Sequence, residues 1–258
     1  MSPITTPLEA SPCPPTAQSL ADRPELWGEP RSADALMVSE HTYWIQYYRK
    51  PDLRYEWHNG RLEEEPASDD KTFLVCNWLR DLLRLFLRTQ PIGWMAAPGM
   101  GFRLPLPDGT VIRRPQIGVV RNDNPQPLLP LDTSYHGVYD LCVEALSDQE
   151  RSGITHETVT KQAEYAAAGV SEYYILHREP ERQAFFTRTT AGVYVPIAPQ
   201  DGVIRSRVLP GLQFRLRDLI ARPAPEALHD DPVYAGFVLA DWPPEQEQQQ
   251  ARQADLEP

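Results

Sequence analysis

Between residues 38 and 222 the apolar residues change spacing repeatedly, from the three or four of a helix to the two of a strand. A chain patterned this way must lay a few helices against sheet, because neither element buries its apolar side alone. Residues 38–49 (VSEHTYWIQYYR) read as a short aromatic helix. Residues 69–89 form a long one, with Phe73, Val75, Leu79, Leu82, Leu83 and Phe86 mostly three or four apart and Arg80, Arg84 and Arg88 on another face. Ser68 is placed to cap it. A further helix spans about 156–168, with Thr155 as its cap and Gly169 where a left-handed residue ends a helix. A short one lies near 217–221.

The strands are shorter. RYEWHNGRLEEE reads as a hairpin about Asn59-Gly60, since a type I′ turn needs positive φ at both central residues. Strand-like runs follow at 94–97, 100–105, 116–121 and 138–146, with a turn at Pro107–Thr110 between two of them. SEYYILH, QAFFTRT, GVYVPIA and QFRL add more. The order predicts a mixed α/β fold, one domain over 38–222 around one sheet. Residues 1–37, rich in Pro, Ser and Thr, are expected to be disordered, and the Pro- and Gln-rich 223–258 to form a flexible acidic tail.

Charge sharpens this division. The chain has a net charge of −11, yet the middle holds 23 acids and 22 bases, so the acidity belongs to the ends. The strongly basic footprint of a DNA-coating protein is absent. No run approaches the ~18 apolar residues of a membrane span, and the first residues do not have the pattern of a secretory signal. Cys13, Cys76 and Cys142 are scattered and without a CxxC, the pattern of reduced thiols in a cytoplasmic protein.

The familiar signatures of phosphate loops, dinucleotide folds, zinc proteases and serine hydrolases are all missing, and the six histidines do not cluster. One constellation remains. Glu144 stands inside the apolar run VYDLCVEAL, where a carboxylate is costly unless paired or metal-bound. Lys161 follows on the next helix, with Tyr165 one turn on along the same face. It is one of three lysines against 22 arginines, although i,i+4 pairing with Glu157 would account for it as a surface residue. Upstream, Pro115-Gln116 opens the strand QIGVV. Glu56 and His58 share one face of the first hairpin strand, and Arg113 and Arg114 precede the QIGVV strand, where they could meet phosphates.

At these residues the chain resembles the Uma-type family of restriction endonucleases, a branch of the PD-(D/E)XK nuclease superfamily. The matching segments are YEWHNGRL, GFRLPLPDGTVIRRPQIGVV, DLCVEALS, KQAEYAAAGVSEYYIL and DGVIRSRVLPGLQFRL, in order over most of 50–217. The resemblance implies a restriction-endonuclease-like mixed sheet flanked by helices, DNA as the partner, and Mg²⁺ or Mn²⁺ held by strand carboxylates. It also implies a lysine beside the attacking water, and a homodimer is common in the superfamily. Carried over, Glu144 is the strand carboxylate. Leu146 occupies the usual lysine position, and Lys161 on the following helix takes that role. Glu56 matches the acidic residue of the family's first hairpin and is expected to join the metal site.

The departure is at Gln116, which stands where the family has the aspartate of its Pro-Asp pair. A neutral amide oxygen removes one negative charge from a site that must hold a reluctantly dehydrating cation. Asp140 lies on Glu144's face but about 13 Å along the strand at ~3.3 Å per residue, and Asp123 is seven positions beyond Gln116. Two functions therefore stay open: a metal-dependent DNA endonuclease impaired at Gln116, or a lapsed nuclease fold kept as a binding module.

Overall fold

The computed structural model describes residues 32–50, 52–65, 68–107, 109–146 and 154–238, with the backbone alone over 154–158. Its longest helix, Asp70–Thr89 (α1), is capped by Asp69, whose carboxylate accepts from the N–H groups of Lys71 and Thr72. Ser68, the cap expected from sequence, stands one residue too early. Val75, Leu79, Leu82, Leu83 and Phe86 are buried, whereas Phe73 is exposed. A step of two residues from Phe73 to Val75 turns about 200° round the helix, which puts Phe73 on the opposite side.

The expected single sheet is three. Tyr55–His58 (β1) and Arg61–Glu64 (β2) form the hairpin, with both Asn59 and Gly60 at positive φ. Gly93–Met95 (β3), Phe102–Leu106 (β4) and Gly109–Arg113 (β5) follow; β5 starts within the expected turn at 107–110 and is a strand the sequence reading did not name. It pairs with β4 on one side and β1 on the other, which ties the hairpin into a four-stranded sheet ordered β2-β1-β5-β4. The second sheet contains Ile117–Arg121 (β6), Leu141–Ala145 (β7), Glu172–Leu176 (β8), Ala184–Arg188 (β9) and Tyr194–Pro196 (β10), in the order β10-β9-β8-β7-β6-β3. β7 and β8 are parallel, joined by the helix Ile154–Ala168 (α2). A small ribbon of Val203–Arg205 (β11) and Gln213–Arg215 (β12) precedes Leu216–Ala221 (α3).

Alternation along β7 divides the core. Leu141 and Val143 face α1 and join its leucines, whereas Cys142 faces α2 and packs with Tyr165, Ala168 and Tyr173. Burial pushes the Cys76 thiol up to about 11 and holds the Cys142 thiol well above its ordinary value, so neither is a reactive thiolate at neutral pH. Glu172, at the head of β8, is fully buried and accepts from Tyr174, Ser206 and the N–H groups of Arg207 and Val208. This carboxylate anchors the loop carrying the VLPGL segment.

The packed unit is larger than 38–222. Residues from Ala33 onward lie along the hairpin, with the N–H of Ala35 bonded to the Leu62 carbonyl and the N–H of Leu62 to the Leu36 carbonyl. Beyond residue 222, Leu228, Val233, Tyr234, Phe237 and Val238 are buried against α1. The prolines in 223–238 break regular structure without preventing burial, which is why the composition read as a tail. Residues 1–31 and 239–258 lie outside the described residues. Among the described residues no helix is long and apolar enough to cross a membrane.

Candidate active site

The hairpin supplies a charged face. In β1 and β2 side chains alternate, and Glu56 stands directly opposite Glu63, with Leu62 and Trp57 turned into the core. The same alternation puts Arg54, Glu56 and His58 together with Glu63 and Glu65. β5 pairs Trp57 with Ile112, and one step further that register sets Arg113 opposite Glu56. Arg113 is 1 % exposed. Its Nη1 reaches Glu56 and Glu63, and its Nε reaches Glu164 at 2.8 Å. It is thus an internal tie between carboxylates, and the idea that it meets phosphates falls. Its neighbour Arg114 is turned to the carbonyls of Gly99 and Tyr48 and lies over the Tyr48 ring.

Glu56 is the hub. Its Oε1 accepts from the Arg114 N–H at 2.8 Å, and its Oε2 from Arg113 at 2.8 Å and Lys161 Nζ at 3.0 Å. Burial works against ionisation of this carboxyl, but Lys161 and Arg113 outweigh it and hold the group down at about 2. Both oxygens receive donors from the chain, and one of them faces Lys161.

Lys161, on α2, is buried and turned inward, so a solvated surface lysine is the wrong description. One turn on along the same face, Glu164 meets Arg113 and lies 3.4 Å from His58 Nε2, and the Tyr165 hydroxyl donates to Glu144 Oε1 at 2.6 Å. Glu144, on β7, is buried. Burial raises its carboxyl above the ordinary range and Glu56 adds to the rise, with Lys161 opposing both.

Gln116 lies just before β6. The pairing of Ile117 with Val143 runs antiparallel, so one further step sets Gln116 opposite Glu144, on the face turned to α2. Its carbonyl accepts from Arg80 at 3.1 Å, and its side-chain Nε2 donates to Glu65 Oε1 at 2.7 Å. Asp140 is occupied elsewhere, accepting from the Arg121 N–H and from Asn124, and Asp123 pairs with Arg121. The four residues singled out from sequence thus reach one region by different routes: Glu144 and Gln116 from the larger sheet, Lys161 from α2 and Glu56 from the hairpin.

Sequence reasoning missed Glu65, Glu63 and Glu164. Glu65 has only 8 % of its side chain exposed, and Arg54 Nε lies 3.1 Å from its Oε2 without the alignment of a hydrogen bond. Burial pushes its carboxyl up to about 7, against the pull of Arg54 and with Glu56 and Glu144 adding to the rise. The available signal was the spacing of two in Arg54-x-Glu56-x-His58 and Glu63-x-Glu65, which marks one face, but spacing does not say whether that face is wet. Among the described residues, no three His, Cys, Asp or Glu side chains are gathered as a ready-made metal cage.

The family model described as "Uma2: Putative restriction endonuclease" matches residues 41–217. The chain belongs to the Uma2 family. The crystal structure of a putative nuclease belonging to DUF820 from Anabaena variabilis ATCC 29413 is similar at a TM-score of 0.52 and 13 % identity, over 65 % of this chain and 90 % of that one. At that identity the likeness is one of fold, here a mixed α/β arrangement of sheets flanked by helices like that of restriction endonucleases. No curated protein matches the chain. The matched span takes in Glu56, Gln116, Glu144 and Lys161 and stops short of the packed C-terminal residues 223–238.

Proposed function

We propose that this Uma2-family chain is a divalent-metal-dependent DNA endonuclease that hydrolyses phosphodiesters, with Glu144, Gln116 and Lys161 at its centre. The observation that carries the reading is the convergence of a β7 carboxylate and the residue opposite it just before β6 with a buried helical lysine held by an ion pair.

The donors fit a hard cation. Only oxygen ligands are offered, and Mg²⁺ is usually held by one or two carboxylates with several waters retained, so a three-residue cage is not required. Glu144 and the amide oxygen of Gln116 would hold it. Bound there, Mg²⁺ or Mn²⁺ supplies activation of a water and neutralisation of charge developing on the phosphate. The chain's own residues do the rest. The Tyr165 hydroxyl fixes one oxygen of Glu144, and Glu56 holds the Lys161 ammonium 3.0 Å away. From there the ammonium can donate to a phosphate oxygen or to the attacking water.

Gln116 also supports a second reading, a lapsed nuclease retained as a binding module. Plasmid relaxation separates the two. Natural protein is incubated with supercoiled DNA in Mg²⁺ and then Mn²⁺, beside Glu144→Ala. Metal-dependent nicking that disappears in Glu144→Ala is the expected result. Nicking that survives in Glu144→Ala refutes the assigned site, and absence of nicking with retained DNA binding favours the lapsed module. DNA as substrate, a cytoplasmic location and a homodimer that cuts both strands belong to the same proposal.

A further inference from the structure

Replacing an aspartate by glutamine at the head of β6 would leave the site one negative charge short. The side chain beside Gln116 is itself a carboxylate, that of Glu65. The Gln116 Nε2 donates to Glu65 Oε1 at 2.7 Å, so the amide nitrogen faces Glu65 and the amide oxygen lies on its other side. Glu65 Oε1 is thereby engaged. Its Oε2 is buried and receives no hydrogen bond, with Arg54 Nε beside it but misaligned. A buried carboxylate oxygen without a donor is costly, and a cation is one way to satisfy it. Gln116 itself stands opposite Glu144 across the β6–β7 register, so Glu65 adjoins the residue facing that carboxylate.

We propose that Glu65 supplies the divalent cation with the carboxylate that Gln116 lacks, so that the second acidic ligand has moved from the head of β6 to the end of β2. Gln116 then serves as a bridge: its nitrogen orients Glu65 and its oxygen completes the donor set. This rests on the metal-dependent reading above, and it makes the glutamine half of an exchanged pair.

The test is Mn²⁺ binding to the full-length, chelator-stripped protein, followed by the loss of the free-ion electron paramagnetic resonance signal. Four proteins are compared: natural, Glu144→Gln, Glu65→Gln, and the exchange Glu65→Gln with Gln116→Asp, each checked for folding by circular dichroism. Affinity is expected to fall about 10–100-fold in Glu65→Gln, the range seen when groups supporting a metal site are lost, and to recover most of that in the exchange. Natural affinity in Glu65→Gln alongside weak binding by Glu144→Gln overturns the role of Glu65 and leaves the site itself standing. No binding by the natural protein, or none lost in Glu144→Gln, overturns the metal site and this inference with it. Should Glu65→Gln not fold, the exchange decides alone: a folded double variant that binds no Mn²⁺ overturns the proposal.

Discussion

The Glu56 hub lends itself to a quantitative test that does not depend on catalysis. In the folded chain Lys161 and Arg113 overcome burial and bring this carboxyl from 4.5 to about 2. Each step of one in pKa is worth ~1.4 kcal/mol, so the ionised group contributes about 3 kcal/mol. The side chain is only 2 % exposed, which leaves little solvent screening to discount. Breaking a buried ion pair from one side gives a similar figure, about 3–5 kcal/mol. The sign follows from the direction of the shift. A depressed carboxyl stabilises fully above its unfolded value of 4.5, and the contribution is lost as pH falls toward 2. Glu56→Gln is therefore expected to lower the unfolding free energy by about 3 kcal/mol at neutral pH. The gap between variant and natural protein should narrow progressively on acidification. Urea titrations between about pH 7 and pH 3.5 measure both. A loss under about 1 kcal/mol, or a gap that does not change with pH, would refute the claim that Glu56 is the ionised anchor of this cluster.

Glu65 should behave in the opposite sense. Its carboxyl is raised from 4.5 to about 7 by burial against the pull of Arg54, so metal-free protein loses stability as pH climbs through that interval, and Glu65→Gln should flatten the slope in urea titrations. Phe237 packs edge-on against Phe86 with ring centroids 5.4 Å apart. Phe237→Ala is expected to cost about 3–5 kcal/mol; a melting temperature equal to that of the natural protein would show that the residues after 222 are not part of the core.

The α1 stripe from Val75 to Phe86, the turn at Asn59-Gly60 and the apolar strand around Glu144 are local patterns, and their spacing alone located them. The Uma-type motifs added Glu56, Gln116 and Lys161. What spacing could not supply was the partner of each charge. Arg113 reads as an exposed residue at a strand end because nothing near it in sequence is acidic; its carboxylates come from the hairpin and α2. Glu65 closes a run of three glutamates that looks solvated, yet the end of β2 turns it inward beside Gln116. The residues after 222 misled in the other direction. Tyr234 and Phe237 follow Pro223, Pro225 and Pro232, yet with Leu228, Val233 and Val238 they bury an irregular segment in the core.

The division of the strands into separate sheets has a consequence for the order of events in folding. β7, α2 and β8 are consecutive in the chain, and their pairing spans 31 positions, fewer than docking of the hairpin requires, so they can associate early. The hairpin belongs to the other sheet, and its Glu56 must cross 105 positions of sequence to meet Lys161. Docking of the hairpin is therefore a late step, and until it happens the lysine ammonium lacks this anchor and Glu144 lacks the flanking charges. Pulse-labelled hydrogen exchange should show amides shared by β7 and β8 protected before those shared by β1 and β5. A nascent or half-folded chain would then be chemically idle, armed only when its first and last-docking hairpin arrives.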